Sequence, residues 1–384
     1  MGDSGEQQGR SRKIRIGVIF GGRSGEHEVS LMSAQSVRSA LDPEKYEVVM
    51  IGITKGGRWL TGNVAAALES GTPEMARMAA LLPDPEASDL MELEQSESQT
   101  ARLSAVASLD VVFPVLHGPY GEDGTVQGLL ELAGIPYVGA GVVGSAVGMD
   151  KAIFKAVMET HDIPILPWKL VLSSEWRESP QAVLEESEQT LDYPIFTKPA
   201  NLGSSVGISK CSDRSQLRAG LDEAARYDRR LILEQGVDAR ELEVSVLGND
   251  RPIASVVGEI RPVREFYDYV AKYVSDDSEL IIPADIDGQL AEHIREVAVR
   301  AYKAIDCAGL ARADFLLDDD SGQVFINELN TIPGFTRISM YPKLWEASGM
   351  SYGVLLDRLV ELALERGEEK SELETSFQVE DHGR

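Results

Sequence analysis

Residues 311–330 read ARADFLLDDDSGQVFINELN. Two apolar, strand-like runs flank the turn-forming DDDSG, so the stretch predicts an antiparallel hairpin. Side chains two apart on a strand share a face. Glu328 and Asn330 therefore point the same way, and Asp314 can sit across the ladder from them. Two carboxylates and an amide oxygen make a set of hard oxygen donors that suits Mg²⁺, a cation that keeps waters and shares its shell with nucleotide phosphates. A hydrogen-bonded polar face at a sheet end has the same spacing, and on spacing alone the two readings stand level. Acidic residues in otherwise apolar strands are costly unless something pairs them.

A second stretch, KPANLGSSVG at 198–207, follows the strand-like YPIFT. It buries almost nothing, so its value lies in backbone freedom and hydrogen-bond donors. Glycine permits close approach, and hydroxyls with N–H groups can ring an anion such as phosphate. Taken alone, such a loop is more simply a tight surface turn or mobile hairpin. Lys198 ends the strand before it, and Lys151 begins a helix upstream; both could supply positive charge, although most lysines are solvated. The chain holds no GxxxxGK[ST], and Gly21-Gly22-Arg23-Ser24-Gly25 does not match GxGxxG, so neither a P-loop nor a dinucleotide fingerprint is present.

The chain has 384 residues, enough for two or three domains, and its 43% hydrophobic and 26% charged content is that of a folded protein. With 63 acidic against 37 basic side chains the formal charge is −26, which argues against binding nucleic acid or anionic membranes. Cys211 and Cys307, the only cysteines, lack metal-ligand spacing and point to a reducing compartment. No apolar run reaches the roughly 18 residues of a membrane span, and MGDSGEQQGRSRK has no signal-peptide core. Glu6 stands where a myristoylation site needs Ser or Thr. A cytoplasmic protein is expected.

KIRIGVIFGG, SLMSAQSVRSAL and YEVVMIGIT read as strand, helix, strand, the start of a parallel α/β layer. Residues 61–105 have weak periodicity and suit a helical or loop excursion. LDVVFPVLHG resumes the sheet, EDGTVQGLLELAG is a helix and IPYVGAG a short strand, closing a first domain. MDKAIFKAVMETHDIP is then a helix, and WKLVL, YPIFTKP, VGISKC and LILEQGV are strands around the helix SQLRAGLDEAARY. LEVSVLGN and RPIASVVGEI are further strands before the polar and aromatic loop REFYDYVAKYVSDDS, the helix GQLAEHIREVAVRAYKAI, the opening hairpin and a terminal amphipathic helix. The expected domains are 13–146, 147–238 and 239–366, with 1–12 and 367–384 as disordered tails.

In this order GGRSGEHEVSLMSA, HGPYGEDGTVQGLLELAGIPYVG, MDK, TKPANLGSSVG, EFYDYVAKY, ARADFLL and NELNTIPGFT closely resemble the D-alanine–D-alanine ligases of the ATP-grasp superfamily, over about residues 13–365. The resemblance implies an α/β chain with α+β parts: a Rossmann-like N-terminal domain, a small central α+β domain and a C-terminal α+β domain, with ATP between the last two. It implies phosphorylation of one D-alanine's carboxylate by ATP, then attack by the amine of a second, to supply a peptidoglycan precursor. Asn201 to Gly207 would form the lid over the phosphates, with Ser204 and Ser205 near the γ-phosphate, and Lys151 and Lys198 on the phosphates. Glu234 would lie at the adenine and Glu241 at the ribose. Asp314, Glu328 and Asn330 match the Mg²⁺ ligands, for two ions, with Mn²⁺ as a substitute.

By the same resemblance Glu26 binds the first substrate's ammonium with His117 beside it, Arg312 and the backbone at Gly334 stabilise the tetrahedral oxyanion, and Ser339 and Met340 receive the second carboxylate. Lys272 and Tyr273, in FYDYVAKY, are of the dipeptide-forming type; Lys272 is counted with the ATP site and Tyr273 with the reacting groups. Related ligases that accept D-lactate differ in this loop, and an ATP-grasp ligase with D-lactate or D-serine as acceptor is the alternative. The family also implies a homodimer.

Overall fold

The computed structural model describes residues 12–70, 76–95, 101–203, 206–261 and 279–374. Its first sheet is centred on β1 (Ile14–Gly21), which pairs in parallel with β2 (Tyr46–Ile53) and β7 (Val111–Pro114). Ile16, Val18, Ile19 and Phe20 on β1 are all buried, the continuous apolar run of a strand covered on both faces. Helix α1 (His27–Ala40) follows the Gly21-Gly22 turn, where both glycines hold positive φ. A Cβ on Gly21 would stand 2.2 Å from the Ile53 carbonyl oxygen, so only glycine fits there.

Residues 61–105 are not the expected helical or loop excursion. From β3 (Trp59–Gly62), β4 (Ala76–Leu81), β5 (Asp89–Gln95) and β6 (Ala101–Ser108) add to the sheet antiparallel, with a short α2 (Val64–Ser70), giving the order β6-β5-β4-β3-β2-β1-β7. The edge strand β6 exposes Leu103 and Val106, so no alternation survives there for a periodicity reading to find. IPYVGAG contributes only a bridge between Tyr137 and Val112, after helix α3 (Thr125–Leu132).

Helices α4 (Val142–Met149) and α5 (Lys151–Thr160) lead into a second, antiparallel sheet of order β10-β9-β11-β8, made of β8 (Trp168–Leu172), β9 (Ile195–Pro199), β10 (Ser209–Cys211) and β11 (Arg230–Gln235). Asp150 caps α5 by accepting from the N–H groups of Ala152 and Ile153, each at 3.0 Å. Helices α6 (Ser173–Glu178), α7 (Pro180–Thr190) and α8 (Arg214–Ala224) cover this sheet through Trp176, Leu184, Leu217 and Leu221.

The third sheet runs β14-β13-β12-β15-β16, all antiparallel, from β12 (Ala239–Leu247), β13 (Ile253–Arg261), β14 (Glu279–Ile281), β15 (Leu310–Asp318) and β16 (Val324–Asn330). Leu242, Val244, Val246, Ala313 and Phe315 turn one face toward Ile294, Ala298 and Tyr302 of helix α9 (Gly288–Ala304). The period of two then leaves Glu241, Glu243, Arg312 and Asp314 on the other face.

Helices α10 (Met340–Ala347) and α11 (Tyr352–Ser371) return to the first sheet, where Leu355, Leu356, Leu359 and Val360 join one core with Ile16, Val18 and Phe113. The tail does not begin at Gly367, because α11 continues to Ser371. At Gly367 an added Cβ would come 2.7 Å from Pro136 Cγ; Arg366 donates to the Tyr137 carbonyl at 2.9 Å and Lys370 pairs with Glu131. Those contacts hold the last turns, and residues 375–384 lie outside the described residues. Among the described residues no helix is long and apolar enough to cross a membrane.

Leu359 is wholly buried between α11 and the first sheet. Leu359→Ala is expected to destabilise the protein by about 2–5 kcal/mol, read as a lower urea midpoint. A loss below about 0.5 kcal/mol would show that α11 is not part of this core.

Candidate active site

Strand pairing builds the acidic face of the third sheet. Asp314 lies opposite Glu328 on β16 and opposite Glu243 on β12, and Arg312 lies opposite Asn330. The hairpin expected from residues 311–330 is therefore present, with Asp314 across the ladder from the acidic strand end. A bulge after this pair, where Phe315 faces Ile326, offsets the register by one residue. The Arg312 guanidinium grips Asp314 with Nε–Oδ1 at 2.6 Å and Nη2–Oδ2 at 2.7 Å, and its Nε also lies 3.0 Å from Glu243 Oε2. Asn330 donates to Asp314 Oδ2 at 2.9 Å, and Lys151 Nζ stands 3.5 Å from Glu328 Oε2.

Two carboxylates and an amide whose charges are met by Lys151 and Arg312 fit a divalent cation, since such an ion would supply the same positive charge to oxygen donors of the right hardness. Among the described residues no three His, Cys, Asp or Glu side chains form a metal cluster. The donor set here reaches three only by counting the amide.

The facing wall comes from the first sheet. Glu26, His117, Glu122, Lys151, Arg312 and Glu328 line one cleft, together with Gly334 and Asn330. Glu26, 8% exposed, precedes α1; its N–H donates to Ser24 Oγ at 2.9 Å, and that hydroxyl donates to the His117 carbonyl at 2.7 Å. The close fit extends to Gly118 and Gly203, where an added Cβ would come within 2.7 Å and 3.1 Å of Glu26 Oε2. Both ring nitrogens of His117 are engaged: Nδ1 lies 2.9 Å from the Ile332 carbonyl and Nε2 3.1 Å from Ser33 Oγ. Burial pulls the His117 pKa down.

Sequence reasoning passed over Glu122, though it stands inside the quoted HGPYGEDG. It accepts from the N–H of Gly118 at 2.7 Å and of Ile332 at 3.1 Å. Burial, with the Glu26 charge next in weight, pushes its carboxyl up to about 8. Glu243 was also missed, although it shares its strand face with Glu241 two residues earlier. Glu241 itself stands on β12 opposite Leu316 and Ile260 and is not part of the cleft lining.

The loop after β9 is tied to this cleft at its start. Lys151 donates to the Leu202 carbonyl at 2.9 Å, while Asn201 donates through its backbone N–H to Asp228 at 2.8 Å and through its side chain to Asp150 at 3.0 Å. Ser204 and Ser205, like Lys272 and Tyr273, lie outside the described residues. Ser339 stands at the N-cap position of α10 without a side-chain bond to the helix; its hydroxyl lies 2.8 Å from Thr336 Oγ1 and accepts from the Thr336 N–H at 3.1 Å. The Met340 side chain is buried with Ile260 and Leu344, so only its main chain is available to a ligand.

Lys198 and Glu234 come together on adjacent strands of the second sheet, where Glu234 is also paired with Lys155. Lys155 was not foreseen, although it follows Lys151 by one helical turn. Burial alone would raise the Glu234 carboxyl, but the Lys155 and Lys198 charges and hydrogen bonds outweigh it and bring it from 4.5 down to about 2. A depressed folded-state value adds stability above pH 4.5 that is lost as pH falls from 4.5 toward 2. Glu234→Gln is expected to cost about 3–5 kcal/mol near neutrality by stranding buried charge, and to flatten the acid limb of a stability curve. Urea midpoints from about pH 6 to about pH 3 check this, and an acid limb parallel to that of the unmodified protein would contradict it.

The model for the D-ala D-ala ligase N-terminus matches residues 15–140, and that for the D-ala D-ala ligase C-terminus matches residues 157–361. A D-alanine–D-alanine ligase of Heliobacterium modesticaldum is 55% identical over 93% of this chain and 96% of its own length; one from Geobacillus thermodenitrificans is 47% identical over 95% and 100%. Among solved structures, the D-alanine-D-alanine ligase of Coxiella burnetii superposes with a TM-score of 0.80 at 35% identity, covering 94% of this chain and 97% of that one. VanG D-Ala:D-Ser ligase of Enterococcus faecalis gives 0.80 at 35% identity, covering 92% and 100%. With both halves of the chain matched and the cleft built at their junction, the protein belongs to the D-alanine–D-alanine ligase family of ATP-grasp enzymes.

Proposed function

We propose that the protein joins two molecules of D-alanine into D-alanyl-D-alanine for peptidoglycan synthesis, converting ATP to ADP and phosphate. The observation that carries this reading is one cleft in which a buried carboxylate from the first sheet, Glu26, shares the lining with Lys151, Arg312 and Glu328. An amino acid has a cation and an anion to be held, and a phosphoryl donor needs positive charge and metal donors; this lining offers groups for both.

A carboxylate is a poor electrophile. In the first step an oxygen of the first D-alanine's carboxylate forms a bond to the γ-phosphorus while the bond to ADP breaks. In the second, the free amine of the other D-alanine attacks the acyl carbon, the amine proton is lost, and the carbon–oxygen bond breaks to release phosphate. Glu26 holds the first ammonium, with His117 behind it. Arg312 and the Gly334 N–H meet the oxygen on which charge develops. Lys151, Lys198, Ser204 and Ser205 hold the phosphates, Glu234 the adenine and Glu241 the ribose, with Lys272 at the nucleotide. Ser339 and the main chain of Met340, at the start of α10, receive the second carboxylate, and Tyr273 orients the amine. Lys198 leaves Glu234 when it takes up phosphate, and Lys155 keeps that carboxylate paired.

Asp314, Glu328 and Asn330 would hold Mg²⁺, as two ions and replaceable by Mn²⁺, which when bound neutralises charge on the transferring phosphoryl group. The protein acts as a cytoplasmic homodimer on this reading. D-serine or D-lactate as acceptor is the competing reading, since VanG D-Ala:D-Ser ligase matches as well in structure as the Coxiella ligase does. The relatives named D-alanine–D-alanine ligase, up to 55% identical, favour D-alanine.

Phosphate release measured with D-alanine alone, with D-serine or D-lactate added, and with no amino acid tests the choice. D-alanine alone is expected to support full turnover, and a rate that depends on D-serine or D-lactate would overturn the D-alanine assignment. Asp314→Asn and Glu328→Gln are each expected to lower Mg²⁺-dependent turnover by about 100-fold or more in folded protein. Near-normal turnover in either at ordinary Mg²⁺ would remove the metal assignment.

A further inference from the structure

Ser33 lies on α1, wholly buried, and none of the roles above uses it. Its hydroxyl stands 3.1 Å from His117 Nε2 and accepts from the Phe335 N–H at 3.3 Å. A carbonyl only accepts, so His117 donates from Nδ1 to Ile332 O. Ser33 Oγ, which takes the Phe335 N–H, joins His117 at Nε2 whichever of the two atoms carries the proton. The chain of bonds runs from the Phe335 N–H through Ser33 and His117 to the Ile332 carbonyl, and the Ile332 N–H goes on to Glu122. Residues 332 and 335 are thus restrained from the first sheet at both ends of Ile-Pro-Gly-Phe. Pro333 has no N–H, and those of Ile332 and Phe335 are taken, which leaves the amide of Gly334, a residue lining the cleft, for a ligand.

Phe335 is fixed from the other side as well. Its carbonyl accepts from the Tyr352 hydroxyl at 2.7 Å, and its ring packs at 5.7, 5.6 and 5.8 Å from those of Phe113, Tyr341 and Tyr352. These contacts hold the Phe335 ring and carbonyl, while its N–H, which belongs to the peptide plane shared with Gly334, is held by Ser33.

We infer that Ser33 is a positioning residue for the ligation step: by coupling the Phe335 N–H to His117 it orients the Gly334 amide toward the oxyanion. This rests on the ligase reading and on the role given there to Gly334. Ser33→Ala removes one oxygen from a helix that keeps its packing. It is expected to lower kcat for dipeptide formation by about 10- to 100-fold while KM for ATP stays within about twofold. A phosphinate analogue of the dipeptide, whose tetrahedral phosphorus bears an oxygen where the oxyanion develops, should lose affinity in step with kcat. Ser33→Thr, which keeps the hydroxyl, should recover most of both.

If the unmodified protein makes no dipeptide, the ligase reading fails. If it does and Ser33→Ala matches it in kcat and phosphinate affinity, the positioning role alone fails, as it does if ATP affinity and thermal stability fall together with kcat. Should Ser33→Ala not fold, Ser33→Cys, which fills the same space with a weak donor and acceptor, takes its place, and the same split between kcat and KM for ATP is required of it.

Discussion

The grip of Arg312 on Asp314 is the interaction on which the cleft depends. Antiparallel pairing sets Glu243, Asp314 and Glu328 side by side across three strands, and like charges in cross-strand positions repel. One guanidinium reaches both Glu243 and Asp314, and Lys151, arriving on α5 from outside the sheet, meets Glu328. The acidic face is stable only with cations against it. Those cations belong to the groups that a phosphorylated ligand and a metal would engage, so loading the site is an exchange of partners within a charge-balanced cluster. The same balance holds at Glu234, where two lysines hold a buried carboxylate ionised.

The second constraint is apolar. The ring of Phe335 is packed among Phe113 of the first sheet, Tyr341 of α10 and Tyr352 of α11, and the α11 leucines extend that core across β1. Glu26 and His117 are therefore presented to Arg312 and Gly334 by a continuous core rather than by a flexible junction. Distances near 3 Å between groups some hundreds of residues apart in sequence become possible because the hydrophobic contact behind them is rigid.

The hairpin at 311–330 was legible because a period of two and a strong turn leave few alternatives, and the face shared by Glu328 and Asn330 follows from that period. The bulge after Asp314 was not legible, since nothing in the alternation marks the extra residue. Residues 61–105 escaped because an edge strand such as β6 has no covered face to impose a pattern. Gly367 looked like a helix stop; Pro136, more than two hundred positions away, leaves no room for a Cβ there, and Arg366 and Lys370 bond to residues of the first domain on either side of it. Glu122, Glu243 and Lys155 went unread for the same reason: each is one polar residue among many until its partner, 79 positions off for Lys155 and Glu234, is brought to it. Ser33 went unremarked because a serine on a helix face shows nothing of its neighbours at 117 and 335 until the fold brings them to it.

Joining two amino acids through a phosphorylated carboxylate leaves a mark on the phosphate. When D-alanine carrying heavy oxygen in its carboxylate is turned over with ATP, the account requires one labelled oxygen in the phosphate released for each dipeptide formed, because the carbon–oxygen bond of the acyl phosphate is the one that breaks. Mass analysis of the phosphate reads this directly, and phosphate free of label alongside dipeptide formation would contradict the account.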